Sequence, residues 1–553
     1  MRLDPSGWKT RLTDAMVAKY RAEHSWRDRT ISEDLDQLWT VRPTQPLVIE
    51  PHVSRNVEEV RQDARMLAGA LAGKGLRRGD VVSFQLPNWY EAVLIELACA
   101  YGGFVCNPIV PIYRATEVDF ILRDAGSKIF FVPESFRNFD YAAMALNLRQ
   151  NCQELHQVVV VRPAGASPAL TFQDLMQGVA APIEGSADPN DVKLIMYTSG
   201  TTSRAKGVLH THNTISTEVH NLIAHMKLDA NDVILMPSPL CHITGYLYGV
   251  QLPITLGCPV VLMDVWDVAK AVEAIEQSGV TFTIGATPFL QELAIFCIER
   301  GQTLPGLRYF PTGGAPVPPE VIAVADKAFA RCVAFRVYGS TEAPTVTLGV
   351  VDRGETALRA ETEGYVVGHE IRLVDDEGKV VRVGDEGEII TRGPEVCVGY
   401  ALDEHNLEAF DEDGFFHTGD LARQTPEGCL IITGRKKDII IRGGENLSPK
   451  EIEDVLYTHP SVREAAVVAM PHPRLGETCC AFVTLKVGAS FDFAAMQALL
   501  SRSGLARQKH PERLEIVETL PYTAAGKIRK NLLRDQIKAQ VVREQVSPLN
   551  ARA

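Results

Sequence analysis

The sequence predicts an α/β protein with a large N-terminal part, a β-rich subdomain and a small α+β C-terminal unit. Three observations carry that prediction. The chain has 553 residues, which at about 150 residues per unit allows three to four folding units. From about residue 47, apolar strand-like runs alternate with amphipathic helix-like stretches, the pattern of a mostly parallel sheet covered on both faces. From about residue 364 the pattern changes to short strands with glycine-bearing turns, and beyond Gly434 it changes again to a compact mixture of helix and strand.

The elements follow in order. Residues 81–86, 128–132, 157–161, 232–236, 260–263 and 280–284 read as strands of the large part, with residues 90–100 as a helix between the first two. Residues 194–198 form a further buried strand, and a helix is expected to begin near His212. Residues 371–374 and 387–390, with turns at Asp376-Glu377-Gly378 and Glu427-Gly428, read as the β-rich subdomain at about 364–434. Residues 449–457 read as a helix, 465–470 and 481–487 as strands, and a basic helix ends the chain.

Composition bounds the function. Hydrophobic residues make up 46% and charged residues 23%, which excludes a disordered, collagen-like or coiled-coil chain. Acidic residues (69) exceed basic ones (56), so the summed field repels polyanions and excludes a general nucleic-acid-binding surface. The N-terminus has no apolar secretory run and the C-terminus no lipidation signal, so neither targeting is expected. Residues 92–112 are apolar but interrupted by Glu96, Gly102, Gly103, Asn107 and Pro108, and read as a buried helix, a turn and a strand rather than a membrane span. Eleven scattered cysteines without a C-x-x-C pair argue against a disulfide framework and a zinc site, and favour a reducing cytoplasm.

The most informative segment is Tyr197-Thr198-Ser199-Gly200-Thr201-Thr202-Ser203-Arg204-Ala205-Lys206-Gly207. Hydroxyls, backbone N–H groups and one ammonium in a loop after a buried strand are the donors that grip a polyphosphate. It is not a Walker A loop, because G-x-x-x-x-G-K-[ST] is absent. By itself the segment also fits an ordinary Ser/Thr-rich turn. Five further segments follow it: Gly313-Gly314-Ala315-Pro316, Tyr338-Gly339-Ser340-Thr341-Glu342, His417-Thr418-Gly419-Asp420, Gly434-Arg435-Lys436-Lys437-Asp438 leading to Gly443-Gly444-Glu445-Asn446, and Pro521-Tyr522-Thr523-Ala524-Ala525-Gly526-Lys527-Ile528. In this order, and over most of the chain, the six resemble the AMP-forming adenylating superfamily of acyl-CoA synthetases, luciferases and adenylation domains. Tyr338 to Glu342, residues 285–289 and Arg442 to Asn446 are most similar to bacterial short- and medium-chain or alicyclic acyl-CoA synthetases.

The resemblance implies that a carboxylic acid is activated by ATP as acyl-AMP, with pyrophosphate released, and that the acyl group passes to the thiol of coenzyme A. Two anions must meet, so concentrated positive charge and Mg²⁺ are required. By resemblance Thr198, Ser199, Gly200, Thr201, Thr202 and Lys206 hold the phosphates, and Glu342 with Thr198 carries Mg²⁺. Tyr338 faces adenine, with Gly339, Ser340 and Thr341 beside it and Gly313, Gly314 and Ala315 on the other face. Asp420 accepts from the ribose hydroxyls, and Arg435 donates to ribose or phosphate. Lys527 meets the carboxylate and the α-phosphate. Lys437 marks a hinge between residues 1–436 and a mobile unit of residues 437–553, and Gly443 and Gly444 line the coenzyme A tunnel. His242, in Pro239-Leu240-Cys241-His242, becomes a gate or wall between acyl pocket and tunnel, where its residue type alone reads as a satisfied core group.

The acyl pocket is expected near residues 242–245, 283–286 and Val337, whose bulk would trim it. The phosphate loop departs from the family at Ser203 and Ala205, where Gly and Pro are usual. His210 and His212 have a spacing that tempts a metal reading, but no carboxylate or cysteine cluster accompanies them in sequence. The partners implied are a small carboxylic acid, ATP and coenzyme A, without nucleic acid or integral membrane association, and a homodimer is admitted. Two other readings stay open. One is transfer to a carrier-protein phosphopantetheine, and the other is adenylate binding without turnover.

Overall fold

The computed structural model describes every residue except 1, 52, 178–186, 199–204, 316, 443–444, 524–526 and 551–553, together with the side chains of 445, 446, 542 and 545–550. Two large sheets dominate the N-terminal part. The first has eight strands, in the order Leu170–Thr171, Gln157–Val161, Ser127–Pro133, Val81–Phe84, Val105–Pro108, Val192–Thr198, Lys206–Thr211 and Gly399–Tyr400. It is parallel up to Val192–Thr198 and antiparallel beyond. The second has seven, in the order Val333–Arg336, Tyr309–Thr312, Phe282–Thr283, Ile234–Met236, Val260–Leu262, Pro46–Glu50 and Val53–Asn56. Only its last pair is antiparallel.

The helices Val57–Gly73 and Tyr90–Gly102 lie between these sheets, because one core cluster joins Val60, Leu67, Ile95 and Leu97 to Phe84 and Met196 of one sheet and to Val48, Ile234 and Phe282 of the other. A helix covered on all sides must be apolar all round. Tyr90–Gly102 is so beyond its first turn, where Glu91 lies: its second carboxylate, Glu96, is buried as deeply as its leucines. Residues 92–112 thus form the expected buried helix and strand, and among the described residues no helix is long and apolar enough to cross a membrane. The outer faces are closed by Ala115–Asp124 and Tyr141–Asn151 on the first sheet and by Val268–Ser278, Thr287–Arg300 and Pro319–Ala328 on the second.

The β-rich subdomain is an antiparallel five-stranded sheet from Gly364–Tyr365 to Cys429–Arg435. The C-terminal sheet is built on the pair Val462–His472 and Gly476–Leu485. Its alternation is two-sided: Ala465 and Val467 face the helices Pro449–Tyr457 and Phe493–Arg502, while Ala466, Val468 and Met470 face Leu533 and Ile537 of Lys530–Asn550. Two expectations need correction. The second strand ends at Leu485, leaving Val487 fully exposed. The phosphate loop leads not directly into the helix His212–Met226 but into the strand Lys206–Thr211, which returns antiparallel to the strand before it.

Candidate active site

In open parallel sheets the loops at the carboxyl ends of strands gather into a crevice. Here the strands ending at Met236, Thr283, Thr312 and Arg336 are neighbours, so the loops after them converge. Ser238 Oγ donates to Ile284 O at 3.3 Å, the Gly313 amide to Gly285 O at 3.4 Å and the Val337 amide to Thr312 O at 3.0 Å. These contacts bring together the loops of the expected acyl pocket. They also explain Gly313, because a Cβ there would lie 2.4 Å from Val337 O. Gly339 is equally constrained, since a Cβ would lie 2.2 Å from Thr345 N, and Gly314 adopts φ +77°.

From the other large sheet comes the phosphate loop. Its ends, Thr198 and Lys206, sit opposite each other on neighbouring antiparallel strands, which fixes the two ends side by side. Ser199, Gly200, Thr201, Thr202 and Ser203 lie outside the described residues, as do Gly443 and Gly444. The ammonium of Lys206 pairs with Glu408 at 3.4 Å and lies 5.5 Å from the centre of the Tyr400 ring.

Tyr400 continues the chain of contacts. Its hydroxyl donates to Glu342 Oε1 at 2.9 Å, and the Cys397 amide donates to Glu342 O at 2.8 Å. The turn before Glu342 is pinned by His210, whose Nε2 lies 2.7 Å from Thr341 O. A carbonyl only accepts, so that nitrogen carries the proton. Burial pushes the His210 imidazole down to about 4 and lowers His212 well below the usual range. The Ile31 amide donates to His212 Nδ1 at 3.3 Å. Both histidines are therefore neutral structural groups, and among the described residues no group of three or more His, Cys, Asp or Glu side chains is placed to hold a metal ion. Thr198 and Glu342 offer one hydroxyl and one carboxylate, the small hard-oxygen set that suits Mg²⁺ when phosphates complete the shell.

The β-rich subdomain supplies the next pair. Asp420 and Arg435 are cross-strand partners, and Arg435 Nε donates to Asp420 Oδ1 at 2.6 Å. The other oxygen, Oδ2, accepts from Tyr338 OH at 2.8 Å, and burial with the Asp420 charge raises the Tyr338 phenol well above its ordinary value. Asp420 is buried and sits two residues beyond Thr418, whose Oγ1 accepts from its amide at 3.1 Å. His417 is 3.4 Å from Glu388.

The C-terminal unit reaches into this arrangement. Lys527 is bonded to Thr523, its carbonyl accepting from the Thr523 amide at 2.6 Å and its amide donating to Thr523 Oγ1 at 3.0 Å. Burial lowers the Lys527 ammonium and the Arg435 guanidinium lowers it further, while the carboxylates of Asp420 and Glu342 act in the opposite sense. One lysine from the end of the chain thus shares a field with three groups that lie 92 to 185 positions before it. Lys437 sits in the short turn Lys436–Asp438 after the subdomain's last strand. Enclosure by neighbouring protein, with Arg435 adding to it, lowers its ammonium to about 8. Its carbonyl accepts from Arg534 Nη1 at 3.1 Å, and Arg534 also pairs with Asp438 at 3.4 Å. The basic hairpin expected after it is present as Ile440–Arg442 with Glu445–Leu447.

His242 lies at the start of the helix Ile243–Tyr246, its amide donating to Pro239 O at 2.9 Å and its carbonyl accepting from the Tyr246 amide at 2.8 Å. Sequence reasoning missed Tyr400, Glu408 and His210 as parts of the site. Tyr400 and Glu408 carry no motif, and His210 gave only its spacing to His212.

Comparison with known proteins accounts for the arrangement. The AMP-binding enzyme family matches residues 35–401 and the AMP-binding enzyme C-terminal domain matches residues 451–527. A medium-chain fatty-acid–CoA ligase of Escherichia coli is 36% identical, the match covering 95% of this chain and 94% of that protein. A vibriobactin-specific 2,3-dihydroxybenzoate-AMP ligase of Vibrio cholerae is 30% identical over 94% of this chain and 96% of its own. Among solved structures, ATP-bound MatB from Rhodopseudomonas palustris superimposes with a TM-score of 0.82 at 26% identity, covering 92% of this chain and 99% of its own. Thr198 and Lys206 at the ends of the loop and Lys527 thus fall within two matched domains that together span most of the sequence, with the Asp420–Arg435 pair on the stretch between them, and the chain belongs to the AMP-binding enzyme family.

Proposed function

We propose that the protein is an ATP-dependent acid–thiol ligase that forms acyl-AMP and pyrophosphate and then transfers the acyl group to coenzyme A. The observation that carries this reading is that Lys527 lies within the electrostatic reach of Arg435, Asp420 and Glu342. A carboxylate oxygen attacks the α-phosphorus, the bond to the bridging oxygen of pyrophosphate breaks, and negative charge accumulates where Lys527 is held. A fixed ammonium in a partly desolvated site stabilises that charge without reorganising. In the second step the thiolate of coenzyme A attacks the acyl carbon and AMP leaves.

The remaining roles follow from position. Ser199, Gly200, Thr201, Thr202 and Lys206 grip the β- and γ-phosphates, and Glu408 is the internal anion that Lys206 exchanges for phosphate. Thr198 and Glu342 would hold Mg²⁺, which when bound neutralises phosphate charge. Tyr338 and residues 313–315 enclose adenine. Asp420, each of whose oxygens keeps a second lone pair, takes the ribose hydroxyls beside Arg435. His242 walls the acyl pocket. Lys437 is the hinge between residues 1–436 and 437–553, whose rotation withdraws Lys527 and brings Gly443 and Gly444 to the thiol channel.

For the acid we favour a short- to medium-chain or alicyclic acid, supported by the Escherichia coli relative and by Val337 beside the pocket. An aryl acid is the second reading, supported by the relative named for 2,3-dihydroxybenzoate. A cytoplasmic location belongs to the same reading and is supported by eleven buried cysteines without a disulfide. Pyrophosphate exchange with octanoate, cyclohexanecarboxylate and 2,3-dihydroxybenzoate tests it. Exchange with one class identifies the acid, and AMP release that depends on coenzyme A identifies the acceptor. Exchange without such release favours a carrier-protein thiol, and ATP binding without exchange leaves only an adenylate-binding protein.

A further inference from the structure

Behind the site, in the apolar layer between the two large sheets, three polar side chains meet. Lys193 Nζ lies 2.8 Å from Glu96 Oε1, with both side chains only 2% exposed. The Tyr246 hydroxyl donates to the same Glu96 oxygen, and Lys193 Nζ is 5.2 Å from the centre of the Tyr246 ring. An ion pair removed from water this completely loses several kcal/mol of solvation per ion, and an apolar set of equal volume is commonly as stable or more so. Stability therefore gives no reason for charges at this place.

Their positions do. Lys193 sits where the register of its strand shifts, between the pairs Val192 with Thr211 and Leu194 with His210. Such a bulge re-aims a side chain, and here Lys193 points into the helix layer. Five residues further on, the same strand ends at Thr198, the base of the phosphate loop. Tyr246 ends the helix Ile243–Tyr246 and runs directly into the π-helical turn Leu247–Gln251, a distortion frequent at functional sites. That helix is locked to the loop before it, because a Cβ on Gly245 would lie 2.0 Å from Pro239 O. Glu96 lies between them on the central helix Tyr90–Gly102. Thus one carboxylate ties the strand that carries the phosphate loop to the helix that follows the acyl-pocket wall.

We propose that Lys193, Glu96 and Tyr246 are positioning residues that hold the phosphate loop and the acyl-side helix in one fixed relation, so that ATP and the acid meet in line. The proposal rests on the ligase reading above. A misplacement of about 1 Å can cost about a hundredfold in rate while leaving each substrate bound, so the mark of such a role is a loss in kcat without a matching loss in binding.

The test uses the full chain carrying Lys193→Met with Glu96→Gln, which removes both charges together and strands neither, and separately Tyr246→Phe, which removes one oxygen. Calorimetry with Mg·ATP in the absence of acid reads binding, pyrophosphate release reads kcat and the two KM values, and thermal melting reads the fold. We expect kcat for adenylation to fall about tenfold or more in both variants, with the ATP Kd and each KM within about threefold of wild type and melting close to wild type. A kcat within about twofold of wild type in both variants, or a loss that only follows a lowered melting temperature, overturns the proposal. If the charge-free double variant does not fold, Tyr246→Phe decides alone: normal kcat there is sufficient to reject it. Wild-type protein that neither binds ATP nor exchanges with any acid would sink the ligase reading and this proposal with it, whereas normal wild-type turnover beside normal variants rejects only the proposal.

Discussion

Lys527 is the residue on which the proposed chemistry turns, and its surroundings say how its loss should read. Its ammonium lies within the electrostatic reach of the Asp420 and Glu342 carboxylates and the Arg435 guanidinium, all in the N-terminal part, so under the proposed function it serves the step in which charge grows on the α-phosphate. Lys527→Ala should lower acyl-AMP formation by about a hundred- to a thousandfold, while thioester formation from preformed acyl-AMP is retained. Measuring the two half-reactions separately checks this, and equal loss of both contradicts it. Tyr400 acts one step removed, by holding Glu342 Oε1 at 2.9 Å. Losing a partner that orients a metal ligand typically costs about ten- to a hundredfold in metal affinity or activity. Tyr400→Phe should therefore raise the Mg²⁺ concentration needed for half-maximal pyrophosphate release about tenfold, and an unchanged Mg²⁺ requirement would separate Tyr400 from the metal. The difference between the two residues marks what sequence can reveal. Lys527, Asp420 and Glu342 stand in ordered motifs and could be named from them. Tyr400 is an aromatic residue in an apolar run, and only the folded chain puts its hydroxyl on Glu342. Likewise Glu96 reads in sequence merely as an interruption of an apolar helix, and its partner Lys193 is 97 positions away.

At the level of elements, strands buried on both faces were legible because their runs are continuously apolar, as at Gln157–Val161. The strand Lys206–Thr211 was not, because its Gly-Val-Leu-His core is short and leads straight into a helix whose cap, Thr211, is also the strand's last residue. That helix, His212–Met226, carries a buried carboxyl with a consequence for pH. Burial pushes Glu218 up to about 8, helped by the Glu395 charge. Its neighbours are the Tyr248 hydroxyl at 2.5 Å and, through Tyr248, Thr345 at 2.7 Å. Thr345 holds φ +46° in the turn after Glu342. The sign follows from proton counting: between about 4.5, the ordinary value, and about 8, the folded protein keeps a proton that the unfolded chain has released. Stability contributed by this group is full below that window and is lost as pH rises through it, by up to about 1.4 kcal/mol per pH unit. Glu218→Gln, which cannot titrate, should remove this slope, so that the variant gains stability relative to wild type as pH rises from about 4.5 to 8. Denaturant midpoints for both proteins across that range test it, and parallel curves would mean that Glu218 ionises normally in the fold.

For the whole molecule the arrangement described is one of two that the proposed chemistry needs. In the proposed chemistry Lys527 serves the first step, and the unit from Lys437 onward is expected to swing away before the second. The connection is narrow. On one side stands the strand Cys429–Arg435, held by the Asp420–Arg435 pair, and on the other the hairpin that begins at Ile440. Between them, the Lys437 carbonyl and the Asp438 carboxylate are held by Arg534 of the last helix, a contact that in the proposed rotation would travel with the C-terminal unit. Proline at 437 fixes φ near −65°, which suits the short 3₁₀ turn seen here and resists any large rotation away from it. Lys437→Pro is therefore expected to keep single-turnover pyrophosphate release within about threefold of wild type while lowering thioester yield about tenfold or more. This is the opposite of what Lys527→Ala should do, and the two variants read side by side locate the hinge and the adenylating lysine independently. A Lys437→Pro protein that completes both half-reactions at wild-type rates would place the pivot elsewhere in residues 436–440, and loss of both together would mean that the turn is needed for the adenylating arrangement itself.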